Sequence, residues 1–202
     1  MHIFPQVETP QNTTAADIYA AVFAFIEKFA VPLMPAAPTT GRIFRGYSNR
    51  MVLPPDNEYA VMTIVGQHRR GTNVETFDAR KAAANEDGDA ELSELVICDV
   101  QIDFYSPTHT GTEAARMRAQ AVETVGRSPW GVRFFAEKGI KCLYCDDVRD
   151  LSAVTDAAQY VSRWSVTLHL AFRASVTAKL PWFDAVQIER LENVDVHHPP
   201  QD

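Results

Sequence analysis

The sequence predicts an α+β fold: a single domain with a largely antiparallel or mixed β-sheet, helices packed on it, and one overlong strand or hairpin. Three patterns carry this expectation. A helical apolar stripe lies near the N-terminus, a half-wet strand pattern runs from about Leu92 to Tyr105, and a seventeen-residue alternation spans Tyr160 to Val176. The 202 residues fit one large domain, with 1–13 and 197–202 expected to be loose and 70–90 a flexible excursion. A fold of this size buries roughly 70% of its unfolded surface, so its core needs neither disulfide nor metal.

The first helix begins after Thr14, with Asp17 favourably placed in its first turn. Ile18, Val22, Phe25, Ile26 and Phe29 share one face, and Pro32 and Pro35 end the helix near Ala30. Five prolines between Val31 and Asn57 mark a long irregular connection, interrupted by a short strand at Arg42-Ile-Phe-Arg. Tyr59–Val65 is apolar on both faces, the profile of a strand covered twice.

In the next strand, Cys98, Val100, Ile102 and Phe104 alternate with Asp99, Gln101 and Asp103. A second helix opens with the Thr110/Glu113 capping box and carries Ala114, Met117, Ala121, Val122 and Val125 as its apolar stripe. Ser128-Pro129 starts a third, short helix, which Gly139 closes ahead of a strand at Ile140–Tyr144. From Tyr160 the even positions form an inner row that only Ser162 breaks, while Arg163, Thr167, His169 and Arg173 face water. Fully extended, this strand spans roughly 56 Å and either bends or projects. A last strand is expected at Ala185–Leu191.

The net charge of −7, from 19 Lys+Arg and 26 Asp+Glu, argues against nucleic-acid binding through a broad basic face. No apolar run reaches the length of a membrane span, and the N-terminus lacks a signal-peptide pattern, so a soluble cytoplasmic product is expected. Three cysteines fit a reducing compartment. Charge is polarised: Asn73–Phe104 holds nine acids and two bases, whereas Thr40–Gly71 holds five arginines and two acids. Opposed patches suit head-to-tail contact between copies, although charges kept for solubility produce the same pattern.

Catalytic signatures are absent. There is no Gly-x-Ser-x-Gly, no His-Glu-x-x-His and no phosphate-binding glycine loop, and no cofactor is expected. Cys142-Leu-Tyr-Cys145 has zinc or redox spacing, but lacks two further ligands and a helix start. The structural reading is therefore preferred and no metal site is assigned. His109 is read as a turn residue and His169 as exposed. Trp182 and Phe183 sit in an expected loop, either as an anchor for another chain or as a lid on the sheet.

The segments Tyr160-Val-Ser-Arg-Trp-Ser-Val-Thr-Leu-His-Leu, Pro181-Trp-Phe-Asp-Ala-Val and Leu191-Glu-Asn-Val-Asp resemble neck or tail terminator-like proteins of contractile-tailed phages. Ser128-Pro-Trp-Gly-Val and Asp103-Phe-Tyr-Ser are similar too, and the likeness extends from about Thr14 to Val196. The resemblance implies a non-enzymatic virion protein of the tail or neck. It would form a ring, usually a hexamer, that caps the tail tube and meets head-completion or connector proteins and the sheath. DNA would pass through the lumen without specific binding. On this reading Arg42, Arg45, Arg69 and Arg70 face Glu86, Asp87, Asp89 and Glu91 of a neighbour, and Trp182 and Phe183 anchor a neighbour or the tube. A stopper or connector is the nearest alternative, and a small metal-binding protein or enzyme the more distant one.

Overall fold

The computed structural model describes residues 13–33, 42–47, 58–78, 88–107, 113–154 and 160–180. The expected terminal strand at 185–191, residues 1–12 and 197–202 of the ends expected to be loose, the Thr110 cap and His109 lie outside them.

Helix α1 (Ala15–Phe29) starts as the sequence predicts. Thr14 Oγ1 accepts from the Asp17 amide at 3.3 Å, and the Asp17 carboxylate accepts from the Thr14 amide at 2.7 Å. This reciprocal capping box satisfies two amide donors that a helix start leaves without intrahelical partners. Asp17 is held below the usual carboxylate pKa by the Thr14 side-chain and backbone hydrogen bonds. Ile18, Ala21, Val22, Phe25 and Ile26 are buried on the helix's inner side.

Among the described residues, seven strands form one mixed sheet: β1 (Ile43–Arg45), β2 (Tyr59–Asp78), β3 (Gly88–Pro107), β4 (Lys141–Cys145), β5 (Arg149–Asp150), β6 (Ala153–Val154) and β7 (Tyr160–Leu180). Their order is β1-β2-β3-β7-β4, with β5 and β6 also paired to β7. β1 runs parallel to β2, with Ile43 opposite Ala60. β4, β5 and β6 pair antiparallel with β7 in succession, at Leu168–Ala171, Trp164–Ser165 and Tyr160–Val161. The expected overlong strand is therefore the sheet's organiser, one strand serving three short ones. Its contacts with β3 climb one strand as they descend the other (Asp103 with Arg163, Asp99 with His169, Ser93 with Arg173), the signature of antiparallel pairing.

Two helices follow β3: α2 (Glu113–Gly126) and α3 (Pro129–Ala136). One hydrophobic cluster joins Val22 and Phe25 of α1, Ala119 and Val122 of α2 and Phe135 of α3 to Cys98, Val100, Ile102 and Phe104 of β3 and Val166, Leu168 and Leu170 of β7. The helices thus pack on the even-numbered face of β3 and β7, where sequence alternation places the core. Among the described residues, the other face carries no helix.

Contacts divide the chain into two units. Residues 11–74 and 93–175 form one, which contains the cluster just described. Residues 1–10, 75–92 and 176–202 form the other. In the described part of the second unit Thr76 Oγ1 donates to the Glu91 carbonyl at 3.5 Å, Ala90 and Ala178 are buried, and Glu75, Phe77, Glu91 and Leu92 are exposed.

Three expectations need correction. Residues 70–78 and 88–90 are strand, because the backbones of β2 and β3 pair there although their side chains show no apolar period. β2 is fully covered on one face only: Ala60 and Met62 are buried, whereas Tyr59 and Val61 on the other face are half-buried and Val65 is 53% exposed. The stripe of α2 is turned by about one residue. Met117 is 51% exposed, and Ala115, Arg118, Ala119 and Val122 point inward, Arg118 because it meets the carboxylate of buried Glu58.

Candidate partner surface

On the helical side, the end of α1 and the outer side of α3 enclose a cleft of about 320 Å³, lined by Lys28, Phe29, Trp130, Arg133, Phe134 and Glu137. Local sequence builds it. Ser128 Oγ accepts from the amides of Trp130 (3.2 Å) and Gly131 (3.5 Å), and Pro129 occupies the first turn, so α3 starts at a fixed point after α2. At Gly131 a Cβ would lie 2.4 Å from the Val125 carbonyl oxygen, a backbone atom. Gly131→Ala should therefore force the α2–α3 corner apart and lower stability by about 1–3 kcal/mol in urea unfolding.

Trp130, Arg133, Phe134 and Glu137 follow i, i+3, i+4, i+7 spacing and share one side of α3, while Phe135 points into the core. Lys28 Nζ lies 5.5 and 5.7 Å from the ring centroids of Phe29 and Phe134, and Lys138 Nζ lies 5.3 Å from that of Phe134. Cations over aromatic rings, beside a Trp130 that is 68% exposed, make a surface of the composition found at interface centres. Sequence reasoning did not single out this cleft. Its signal was a stripe mixing aromatic and charged residues on a short helix.

The opposite face of the sheet bears an ordered polar network. Tyr59 and Tyr105 stack with centroids 4.6 Å apart. Arg163 lies over Tyr105 and donates to Asp103 at 3.0 Å, and Asp103 also accepts from Gln101. Burial pushes both tyrosine pKa values up, and the bond to Asp103 pushes that of Arg163 up. His169 is not the exposed residue that alternation predicts. It stacks on Tyr144 at 4.0 Å, with Nδ1 2.6 Å from Asp99 and Nε2 3.2 Å from Asp146. These contacts tie β3, β7 and the end of β4 together.

Cys98, Cys142 and Cys145 are all buried and unbridged. Burial, first among the causes, pushes their thiol pKa values to about 11, 11 and 12. Cys142 and Cys145 straddle a register shift in β4, and no metal-binding group of three or more ligands occurs among the described residues. Two outcomes follow. The native protein should resist a thiol reagent at pH 8 and react fully once unfolded. Because folding raises these pKa values, the thiol contribution is complete below the unfolded value, about 8.5, and is lost as pH climbs through 11–12. Denaturant midpoints measured from pH 8 to 11 should fall accordingly, and a flat profile would contradict this.

The charged residues expected at a subunit boundary occupy different settings within the chain. Arg42 is 3% exposed and donates to the Glu58 carbonyl at 2.8 Å, so it serves the chain's own fold and not an outer surface. Arg45 is exposed and lies over the Tyr19 ring at 5.0 Å. Arg69 already pairs with Glu94 of the same chain at 3.2 Å, and Arg70 is exposed. Glu91 is exposed, and Asp89 lies on β3. Glu86, Asp87, Trp182 and Phe183 lie outside the described residues.

The described residues thus combine a mixed sheet with helices on one face, an aromatic and cationic cleft on the helical side, and a polar network on the other face. The model of the phage neck terminator protein family matches residues 16–202, and the chain belongs to that family. This places it in the virion neck as a structural protein that meets other tail and head proteins. No curated protein matches the sequence.

Proposed function

We propose that this protein caps the tail tube of a contractile-tailed phage as a ring, in the usual case a hexamer, and joins the tail to head-completion proteins. The family match over residues 16–202 carries the proposal. A chain with unlike patches associates head to tail, and such contacts close into a ring when the rotation per subunit permits. The net charge of −7 suits a lumen through which DNA slides without being held. The chain acts without catalysis and without a cofactor.

Light scattering and negative-stain images of the purified protein test the ring: annular particles near six subunits are expected. Incubation with isolated tail tubes, and separately with portal-containing heads, distinguishes a terminator from a stopper. Binding to heads alone would replace the proposal with the stopper reading.

A further inference from the structure

We propose that the cleft between α1 and α3 receives the acidic end of the β2–β3 strand pair, Glu75–Leu92, from a second copy of this chain. The inference rests on the ring reading and names the contact that would build the ring. The cleft lies within the described residues, and so do 75–78 and 88–92 of the opposing segment. The cleft offers Phe29, Trp130 and Phe134 with Lys28 and Arg133 at its wall. The opposing segment offers Phe77 and Leu92, 42% and 45% exposed, beside exposed Glu75 and Glu91.

Sign and polarity match. Glu75–Leu92 contains six acids and two bases. The cleft has two cations against Glu137, with Lys138 adding a third over the Phe134 ring. Large apolar side chains exposed on a strand pair gain by burial against aromatic rings, and flanking carboxylates then meet ammonium and guanidinium groups at the rim. The arginine set expected from sequence is a poorer receiver, because Arg42 is buried and Arg69 is already matched by Glu94. Strand end to helix cleft joins unlike surfaces, which is the arrangement that a closed ring requires.

Full-length Glu91→Cys and Arg133→Cys variants are mixed and oxidised; the three native thiols are buried and stay silent. A disulfide between unlike variants, with little product from either alone, is expected. Lys28→Glu with Arg133→Glu should weaken self-association at least about tenfold, and adding Glu75→Lys with Glu91→Lys should restore it. If the wild type forms rings but neither the link nor the rescue appears, the cleft contact is overturned and the ring stands. With a monomeric wild type and no link, both fall. A link formed by a chain that stays monomeric upholds the contact and removes the stable ring. An intramolecular link in the double-cysteine chain at high dilution would overturn the contact, since the chain's own strand pair then fills its cleft.

Discussion

Replacing Glu58 by alanine should lower the unfolding free energy by about 3–5 kcal/mol, the range for a buried ion pair broken on one side. Glu58 and Arg118 are 2% and 1% exposed, and an Arg118 guanidinium nitrogen meets the Glu58 carboxylate directly. Arg42 donates to the backbone carbonyl of the same Glu58 at 2.8 Å, so one residue at the entry to β2 secures both α2 and the approach to β1. Alanine removes the carboxylate, and with it the counter-charge that Arg118 meets directly in a low-dielectric interior. For a chain of this length the loss corresponds to a melting temperature lower by about 10 °C. Arg118→Met should cost less than Glu58→Ala, because methionine keeps most of the buried side-chain volume, whereas alanine also opens a cavity. Glu58→Leu combined with Arg118→Met should recover most of the loss, since apolar residues of similar volume can replace a buried pair. Urea unfolding of the four chains measures this. Single-variant losses below about 1 kcal/mol would show that water reaches the pair.

The same pair marks the limit of what sequence could reveal. Alternation and capping are local, and they located α1, α3, β3 and β7 correctly because Thr14, Ser128 and the even positions of β7 act through neighbours in the chain. The inward turn of Arg118 has no local signal, because hydrophobicity assigns charge to solvent and its partner lies sixty residues earlier. The ends of β2 and β3 were missed for a related reason. Residues 67–77 are exposed, so no apolar period distinguishes that strand from a loop. His169 was misplaced because alternation assigns a face without showing what Asp99, Asp146 and Tyr144 bring to that face. The cleft is not legible in the sequence because no local pattern says which aromatic of α3 faces inward: Phe135 is buried, and Trp130 is 68% exposed.

Phe25→Ala should destabilise the chain by about 3–5 kcal/mol, as expected for an aromatic ring removed from a packed core. Phe25 is fully buried, with ring centroids 5.0 Å from Phe29, 5.4 Å from Phe134 and 4.9 Å from Phe135. It joins α1 to both Phe134 and Phe135 of α3, beside the direct contact of Phe29 with Phe134, and Phe29 and Phe134 line the cleft. Stability and partner contact are therefore linked at one side chain, and a milder substitution separates them. Phe25→Leu keeps an apolar filling and should cost about 1–2 kcal/mol, leaving the chain folded at 25 °C. The contacts of the Phe25 ring with Phe29 and Phe134 would nevertheless be lost, leaving those two rings only their own 5.8 Å contact and that of Phe134 with Phe135. Self-association should weaken in Phe25→Leu by more than in a control of equal stability loss placed away from the cleft, such as Leu168→Val. Equal association in the two variants, measured by sedimentation at matched concentration, would mean that the aromatic cluster serves the core alone.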